Sequence, residues 1–390
     1  MRIMGGAGRL VGSRRGRGIV YQLALIAALV AAGWWFIDNT TANLARQNIA
    51  TGFGFLNTET GFDINQKLIA YDEGSSYWRL LLVGLLNTAL VSVLGIALAT
   101  LLGFFIGVMR LSGNWLVAKL AAVYIEIFRN LPLLLQILFW YTLLITSLPR
   151  PRQSFDFGGM VFLNNRGLYL PWLEVGPGGT ALLVLVGLFL VGFVTLLQYS
   201  RKAREKTGNE LNIIGKYLFI SVIIFGFALL FSGLPFSLDQ PQLKGFNFRG
   251  GVSLIPELVA LLLALTLYTA AFIAEIVRAG ILSVSQGQFE AARALGLPTG
   301  TALRLVIIPQ ALRVIIPPLT SQFLNLTKNS SLAAAIAYPE LVSVFAGTAL
   351  NQTGQAVEII FITMTIYLAL SLMTSLGMNY YNARIALTER

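Results

Sequence analysis

Eight stretches of this chain are apolar for long enough to cross a bilayer, and that pattern decides its fold class before any motif is read. They lie at about 19–37, 80–109, 124–147, 180–199, 213–234, 254–280, 311–337 and 357–381. A helix needs about 20 such residues to span a hydrocarbon core of roughly 30 Å. Inside that core every backbone N–H and C=O must find an internal partner, so runs of this kind fold as helices. The expectation is an all-α polytopic membrane protein with about eight transmembrane helices. Composition agrees: 56% of residues are hydrophobic and 12% charged, with a mean hydropathy of +0.73. The run at 311–337 is the least regular, interrupted by Pro317-Pro318 and by Lys328-Asn329.

Charge sets the orientation. The net charge of +11 would suggest nucleic acid in a soluble protein, but here the cations cluster beside apolar runs, so topology accounts for them and no nucleic acid is expected. Arg9, Arg14, Arg15 and Arg17 precede the first run. That arrangement is also found in a signal peptide, with Ala31-Ala32-Gly33 as a cleavage site. Trp34, Trp35 and Phe36 continue the run to spanning length, which favours an uncleaved anchor. With the N-terminus inside, the inner loops carry Arg110 and Lys119; Arg201, Lys202, Arg204 and Lys206; Arg293 and Arg304; and the C-terminus carries Arg384 and Arg390. The outer loop 38–79 holds Asp38, Glu59, Asp63, Asp72 and Glu73. Loops 38–79, 148–179 and 235–253 show no steady period and read as external caps or linkers.

A polar, helix-forming insert separates two apolar runs at Glu290-Ala291-Ala292-Arg293-Ala294-Leu295-Gly296, followed by Val306-Ile307-Ile308-Pro309. Ser285 and Gln288 stand at the spacing of a capping box. Gly296 suits a left-handed position after the helix, and Pro298 prevents continuation. The spacing predicts a helix of roughly ten residues, about 15 Å long. Its alanines would let another protein approach the backbone closely.

This pattern resembles the EAA loop of permease subunits of binding-protein-dependent ABC importers: E-A-A, three residues, G, nine residues, I-x-L-P. Glu290, Ala291, Ala292, Gly296 and Pro309 match as they stand, while Val306 and Ile308 replace Ile and Leu. The segments Gly84–Ser92, Tyr124–Gln136, Ala274–Gly280 and Leu324–Leu332 resemble the polar amino-acid branch of that family. The resemblance covers roughly 80–147 and 254–385, the five-helix core of a type I-like importer. The extra region resembles the enlarged subunits of general L-amino-acid importers. Four parts follow: an anchor helix and external loop at 1–79, the first part of the core at 80–147, an insertion with two extra helices at 148–253, and the second part of the core at 254–390 with the EAA loop at 281–310.

The resemblance implies a multi-pass subunit of the bacterial inner membrane with both termini cytoplasmic. It implies import of polar L-amino acids, of the glutamate/glutamine/aspartate/asparagine type or of broad specificity. Its partners would be a second permease subunit (the same or a sister chain), two cytoplasmic ABC ATPase subunits and a periplasmic amino-acid-binding protein, all around the lipid bilayer. The EAA helix would couple to the ATPase. ATP and Mg would sit on that partner, with no cofactor on this chain.

Other residues leave two readings open. Glu126–Arg129 and Glu275–Arg278 each place opposite charges at i, i+3 near a helix end. They either snorkel and stabilise those ends or latch an inner gate. Lys328 lies inside an apolar span, where an uncompensated charge costs at least ~2.5–3.5 kcal/mol. Asn325, Asn329, Ser330 and Ser331 surround it in sequence. They mark either a stretch of the translocation path or a polar seam between subunits. Pro317 and Pro318 would kink this span and free carbonyls. Asn130-Leu131-Pro132 predicts a kink, and Asn87 an interhelical hydrogen bond.

Absences divide the labour. No G-x-x-x-x-G-K-[ST] occurs, so the chain shows no ATP site. Zero Cys and zero His exclude disulfides, thiolate zinc sites and His-based acid–base chemistry. No catalytic triad or metal-ligand cluster is evident. The main rival is an ion-coupled secondary amino-acid transporter, a class often built from related halves with broken helices. The repeat of Glu126–Arg129 in Glu275–Arg278 is too short to establish such halves. A non-transporting scaffold would have no need of buried polar residues.

Overall fold

A computed structural model of the chain describes residues 14–46, 51–176, 179–207, 221 and 236–385. The predicted span at 213–234 lies outside the described residues, Ser221 apart, as do Arg9, Arg390 and the side chains of Arg201, Lys202, Arg204, Lys206 and Arg384. The helices in chain order are α1 (Arg14–Arg46), α2 (Tyr77–Arg110), α3 (Trp115–Asn130), α4 (Leu133–Ser147) and α5 (Gly179–Thr207). Then come α6 (Pro256–Leu282), α7 (Gln286–Ala294), α8 (Thr299–Ala302), α9 (Ile308–Asn329), α10 (Leu350–Thr353) and α11 (Ala356–Ile385). Among the described residues, five helical segments are long and apolar enough to cross a membrane: 17–46, 77–110, 256–282, 299–336 and 356–383. A shorter apolar stretch, Val184–Leu197, lies within α5. The chain is a polytopic, predominantly helical membrane protein.

The predicted span 124–147 is not one continuous helix. It is divided between α3 and α4 by a break at Leu131-Pro132. Pro132 disfavours helical backbone at the residue before it, and Leu131 is extended at φ −90°, ψ 131°. The broken helix also begins earlier than the apolar run. The Asn114 side chain accepts from the N–H groups of Leu116 and Val117 at 2.9 and 3.3 Å and starts α3 inside the predicted loop 110–123.

Two compact units emerge, residues 1–134 with 264–390, and residues 135–263. In the first, small residues let α2 lie close to α6. A Cβ at Gly103 would meet Ile273 Cβ at 2.6 Å, and one at Gly107 the Ala274 carbonyl at 2.8 Å. Membrane helices gain no hydrophobic drive against lipid, so such close packing holds them together. Of the two predicted interruptions of 311–337, the structure shows the one at Lys328-Asn329 and not the one at Pro317-Pro318. α9 runs through Pro317 and Pro318 and gives way at Ser330 to a 3₁₀ stretch, Ser330–Ile336. Each proline removes one N–H while keeping a helix-compatible φ, so the ladder loses donors without breaking.

Part of the predicted linker 38–79 packs as a cap. Phe55, Ile64 and Tyr71 are buried with Tyr77, Leu80, Leu341, Phe345 and Ile359. The Gly52 N–H donates to Glu358 Oε1 at 2.5 Å and ties the cap to α11. α1 contributes nothing to this core: its apolar window is 0% buried.

The second unit contains strands where the sequence suggested irregular loops. They are β1 (Phe155–Phe157), β2 (Val161–Asn164), β3 (Gly167–Leu170), β4 (Trp172–Val175), β5 (Phe236–Asp239), β6 (Gln242–Lys244), β7 (Asn247–Arg249) and β8 (Val252–Leu254). β1-β2-β3-β8 form one antiparallel sheet, with β4–β5 and β6–β7 as separate pairs. At three to four residues each, the strands are too short to show a period of two. Phe162, Tyr169 and Phe248 supply the packing, with ring centroids 4.5 and 5.0 Å from Phe248.

Candidate coupling segment and translocation pocket

The polar insert forms α7 as predicted, but its start is not the expected capping box. Ser285 occupies the cap at φ −61°, ψ 143° without a side-chain hydrogen bond to the helix. Gln288 instead accepts at Oε1 from Gln310 Nε2 at 3.2 Å, which links α7 to the first turn of α9. The C-terminal end is a Schellman motif. Gly296 has φ +71°, its N–H donates to the Arg293 carbonyl at 2.9 Å, and Leu297 N–H donates to the Ala292 carbonyl at 3.1 Å. Ala292 is buried and anchors the helix, whereas Glu290, Ala291, Arg293 and Leu295 are exposed. Pro309 lies in the first turn of α9. α7 packs on the segment 299–307, and beyond the turn 295–298 the chain is helical from Thr299 into α9.

The two predicted ion pairs differ. Arg278 Nε lies 3.1 and 3.0 Å from the two carboxylate oxygens of Glu275, with Nη2 also on Oε1. No Glu126–Arg129 pair forms. Arg129 sits over the Phe272 ring at 5.0 Å, and the Glu126 carbonyl accepts from Asn130 Nδ2 at 2.7 Å. The i, i+3 spacing permits such a pair, but the aromatic face on α6 offers the guanidinium a competing site.

Phe272 also borders a cavity of about 240 Å³ in the first unit. Its wall is Tyr268, Thr269 and Phe272 from α6 with Gln322, Asn325 and Asn329 from α9. Two of the five predicted path residues, Asn325 and Asn329, therefore line one space. Lys328 is exposed and does not line it. Ser330 is buried and donates to the Thr327 carbonyl at 2.7 Å, and Ser331 donates to the Lys328 carbonyl at 2.7 Å. The cavity can offer amide donors and acceptors, two hydroxyls and two ring faces. Gln322, Asn325 and Asn329 follow i, i+3, i+7 spacing, a readable stripe that the nearby lysine obscured. Tyr268 and Phe272 sit at i, i+4, with ring centroids 5.0 Å apart.

Sequence reading also missed a buried acid. Glu340 follows the 3₁₀ stretch and is 0% exposed. It accepts from Val342 N–H at 2.8 Å, Ser343 N–H at 2.7 Å and Tyr367 Oη–H at 3.0 Å. Burial pushes its carboxyl up to about 7, against the lowering effect of these hydrogen bonds. Alongside it, Thr88 Oγ1 accepts from Leu341 N–H at 3.1 Å. Asn87 makes no interhelical bond but donates to the Pro339 carbonyl at 2.8 Å and the Gln66 carbonyl at 2.9 Å, both in non-helical connections.

A family of proteins described as the binding-protein-dependent transport system inner membrane component matches residues 198–387. The putative amino-acid ABC transporter permease protein YhdX of Escherichia coli strain K12 is 53% identical over 377 residues, covering 96% of this chain and 95% of that protein. This chain belongs to that family. The general L-amino acid transport system permease protein AapQ of Rhizobium johnstonii is 49% identical, covering 96% of this chain and 93% of the relative. The glutamate/glutamine/aspartate/asparagine transport system permease protein BztB of Rhodobacter capsulatus is 43% identical over 98% of this chain and 96% of its own. The binding-protein-dependent permease is thus a membrane transport subunit, and the ion-coupled rival finds no support.

Proposed function

We propose that this permease forms the translocation path of an ATP-driven importer for polar L-amino acids, of the glutamate/glutamine/aspartate/asparagine type or broader, and works through ATPase subunits on separate chains. The observation that carries this reading is the continuity between α7 and the pocket. One end of the α7–α9 segment exposes Glu290, Ala291 and Arg293; the other supplies Gln322, Asn325 and Asn329 to the cavity. A displacement of α7 by a docked ATPase would be passed to the pocket wall, because Ala292 and the Gln288–Gln310 bond attach it to the intervening helix. ATP binding would then bias an equilibrium between outward and inward openings. ATP and Mg belong to the partner; this chain supplies polar contacts and the moving wall.

In this reading Glu290, Ala291, Ala292, Gly296 and Pro309 form the coupling segment, with α7 on the cytoplasmic side together with both termini. A second permease subunit, two ATPases and a periplasmic amino-acid-binding protein complete the assembly in the bacterial inner membrane. Lys328 faces out of its own chain, which fits a role at a seam with the second permease better than one in this pocket. The Glu275–Arg278 pair fastens one helix end near the coupling side.

The test is a pull-down of the tagged permease with its ATPase in mild detergent, alongside amino-acid uptake into proteoliposomes. Gly296→Asp should lose the ATPase and ATP-dependent uptake while the permease stays monodisperse. The reading fails if wild type takes up amino acids on an ion gradient with no ATPase present, or if the variant retains full coupling.

A further inference from the structure

Three arginines gather on one face of the second unit, beyond anything the coupling segment or pocket requires. Arg150 precedes the 3₁₀ turn Pro151–Gln153, Arg152 lies within it, and Arg166 lies in the β2–β3 turn. With Phe246 of the β6–β7 turn they line a cavity of about 480 Å³ that contains no carboxylate. Arg152 stacks 5.0 Å over the Phe246 ring, and Arg166 Nη1 donates to the Phe246 carbonyl at 3.3 Å.

Two hydrogen bonds hold these turns in place. Asn165 N–H donates to the Pro149 carbonyl at 2.9 Å, and Tyr169 Oη donates to Asn247 Oδ1 at 2.8 Å. The guanidiniums are therefore assembled and partly immobilised before anything binds. Among the described residues, none of the three has a carboxylate within 4.0 Å. All three are exposed, as is Phe246 at 75%.

Topology sharpens the point. In the proposed orientation segment 148–176 lies outside, where the charge bias of membrane proteins disfavours Lys and Arg near span ends. Three arginines kept there against that bias need a counter-charge. The surface is open and wide, with an exposed ring at its centre. Arg and aromatic side chains are enriched at the energetic centres of protein interfaces, and planar arginine gives bidentate contacts to carboxylates.

We propose that Arg150, Arg152 and Arg166 around Phe246 form a docking surface for carboxylate side chains on the soluble amino-acid-binding protein. This rests on the importer reading above. Charge complementarity of this kind raises the association rate and fixes docking register, and it weakens with salt.

The experiment uses the complete transporter in nanodiscs and the soluble binding protein that stimulates its ATP hydrolysis. Affinity is read by surface plasmon resonance at 50 and 300 mM salt. The triple variant R150E/R152E/R166E should bind at least about 10-fold more weakly at low salt, chiefly through a slower on-rate, with the difference shrinking at high salt. Basal ATP hydrolysis and elution profile should match wild type. If the reversed charges disturb the turns, R150Q/R152Q/R166Q should give a smaller loss in the same direction. Equal affinity of a folded variant overturns the inference and leaves the importer reading intact. So does a result in which only the binding of anionic-lipid nanodiscs changes, since the arginines would then serve a headgroup. Failure of any binding protein to stimulate wild-type hydrolysis removes the importer reading and this surface with it.

Discussion

At Glu340 burial and hydrogen bonding pull in opposite directions, and burial wins. The folded carboxyl is pushed up to about 7 from an ordinary 4.5, so the folded state holds a proton that the unfolded chain releases. Its contribution to stability is fully present below pH 4.5 and is lost as pH rises to about 7, changing little beyond. That interval corresponds to roughly 3 kcal/mol. Tyr338 and Tyr367 are the titratable neighbours, and neither supplies a positive charge to offset ionisation. Thermal unfolding of the detergent-solubilised chain should therefore move to lower temperature between pH 5 and pH 7.5. Glu340→Gln should flatten that trend; a variant with the wild-type slope would mean that another group carries it. Gly296 makes a second residue-scale case. At φ +71° an L side chain costs about 1–2 kcal/mol, so Gly296→Ala should lower ATPase recovery in a pull-down, and Gly296→Asn should lower it less. Equal recovery for all three would show that the left-handed cap is dispensable.

Among the elements, the α2–α6 contact leaves no room for added atoms. Gly103→Ala would place a methyl 2.6 Å from Ile273 Cβ and 2.9 Å from the Ala270 carbonyl. Overpacking of this kind costs typically 1–3 kcal/mol. The variant should unfold at lower temperature, and Ile273→Ala in the same chain should recover part of the loss, a coupling that a double-mutant cycle measures. Additive losses would argue against direct contact. At this scale the sequence is informative where physics is local. Long apolar runs gave α1, α2, α6 and α11, and Gly296 with Pro298 marked the end of α7. Non-local competition decided the rest. Arg129 preferred the Phe272 ring to Glu126, and Gln288 preferred Gln310 to its own helix cap. Neither choice is visible along the chain, because each partner comes from a segment far away in sequence or beyond a turn. The strands of the second unit escaped for another reason: three residues cannot display an alternation.

For the whole molecule, orientation is what joins every functional statement to the same mechanism. The α7 segment must share a compartment with ATP, and the arginine surface must share one with a soluble receptor. With zero Cys in the chain, single cysteines report sidedness without a background to remove. Gly113 and Thr299 flank the proposed inner side, and Asn57 and Ser237 are exposed on the proposed outer side. A Cβ at Gly113 meets nothing within 4 Å, so that substitution should be neutral. A membrane-impermeant maleimide applied to intact spheroplasts should label Asn57→Cys and Ser237→Cys and leave Gly113→Cys and Thr299→Cys unlabelled until the membrane is opened. The positive-inside bias favours that outcome through the cations of the proposed inner loops, while the arginines of 148–176 weigh against it. Labelling of Thr299→Cys in intact spheroplasts would place α7 outside, away from ATP, and would end the coupling assignment however well its sequence pattern fits.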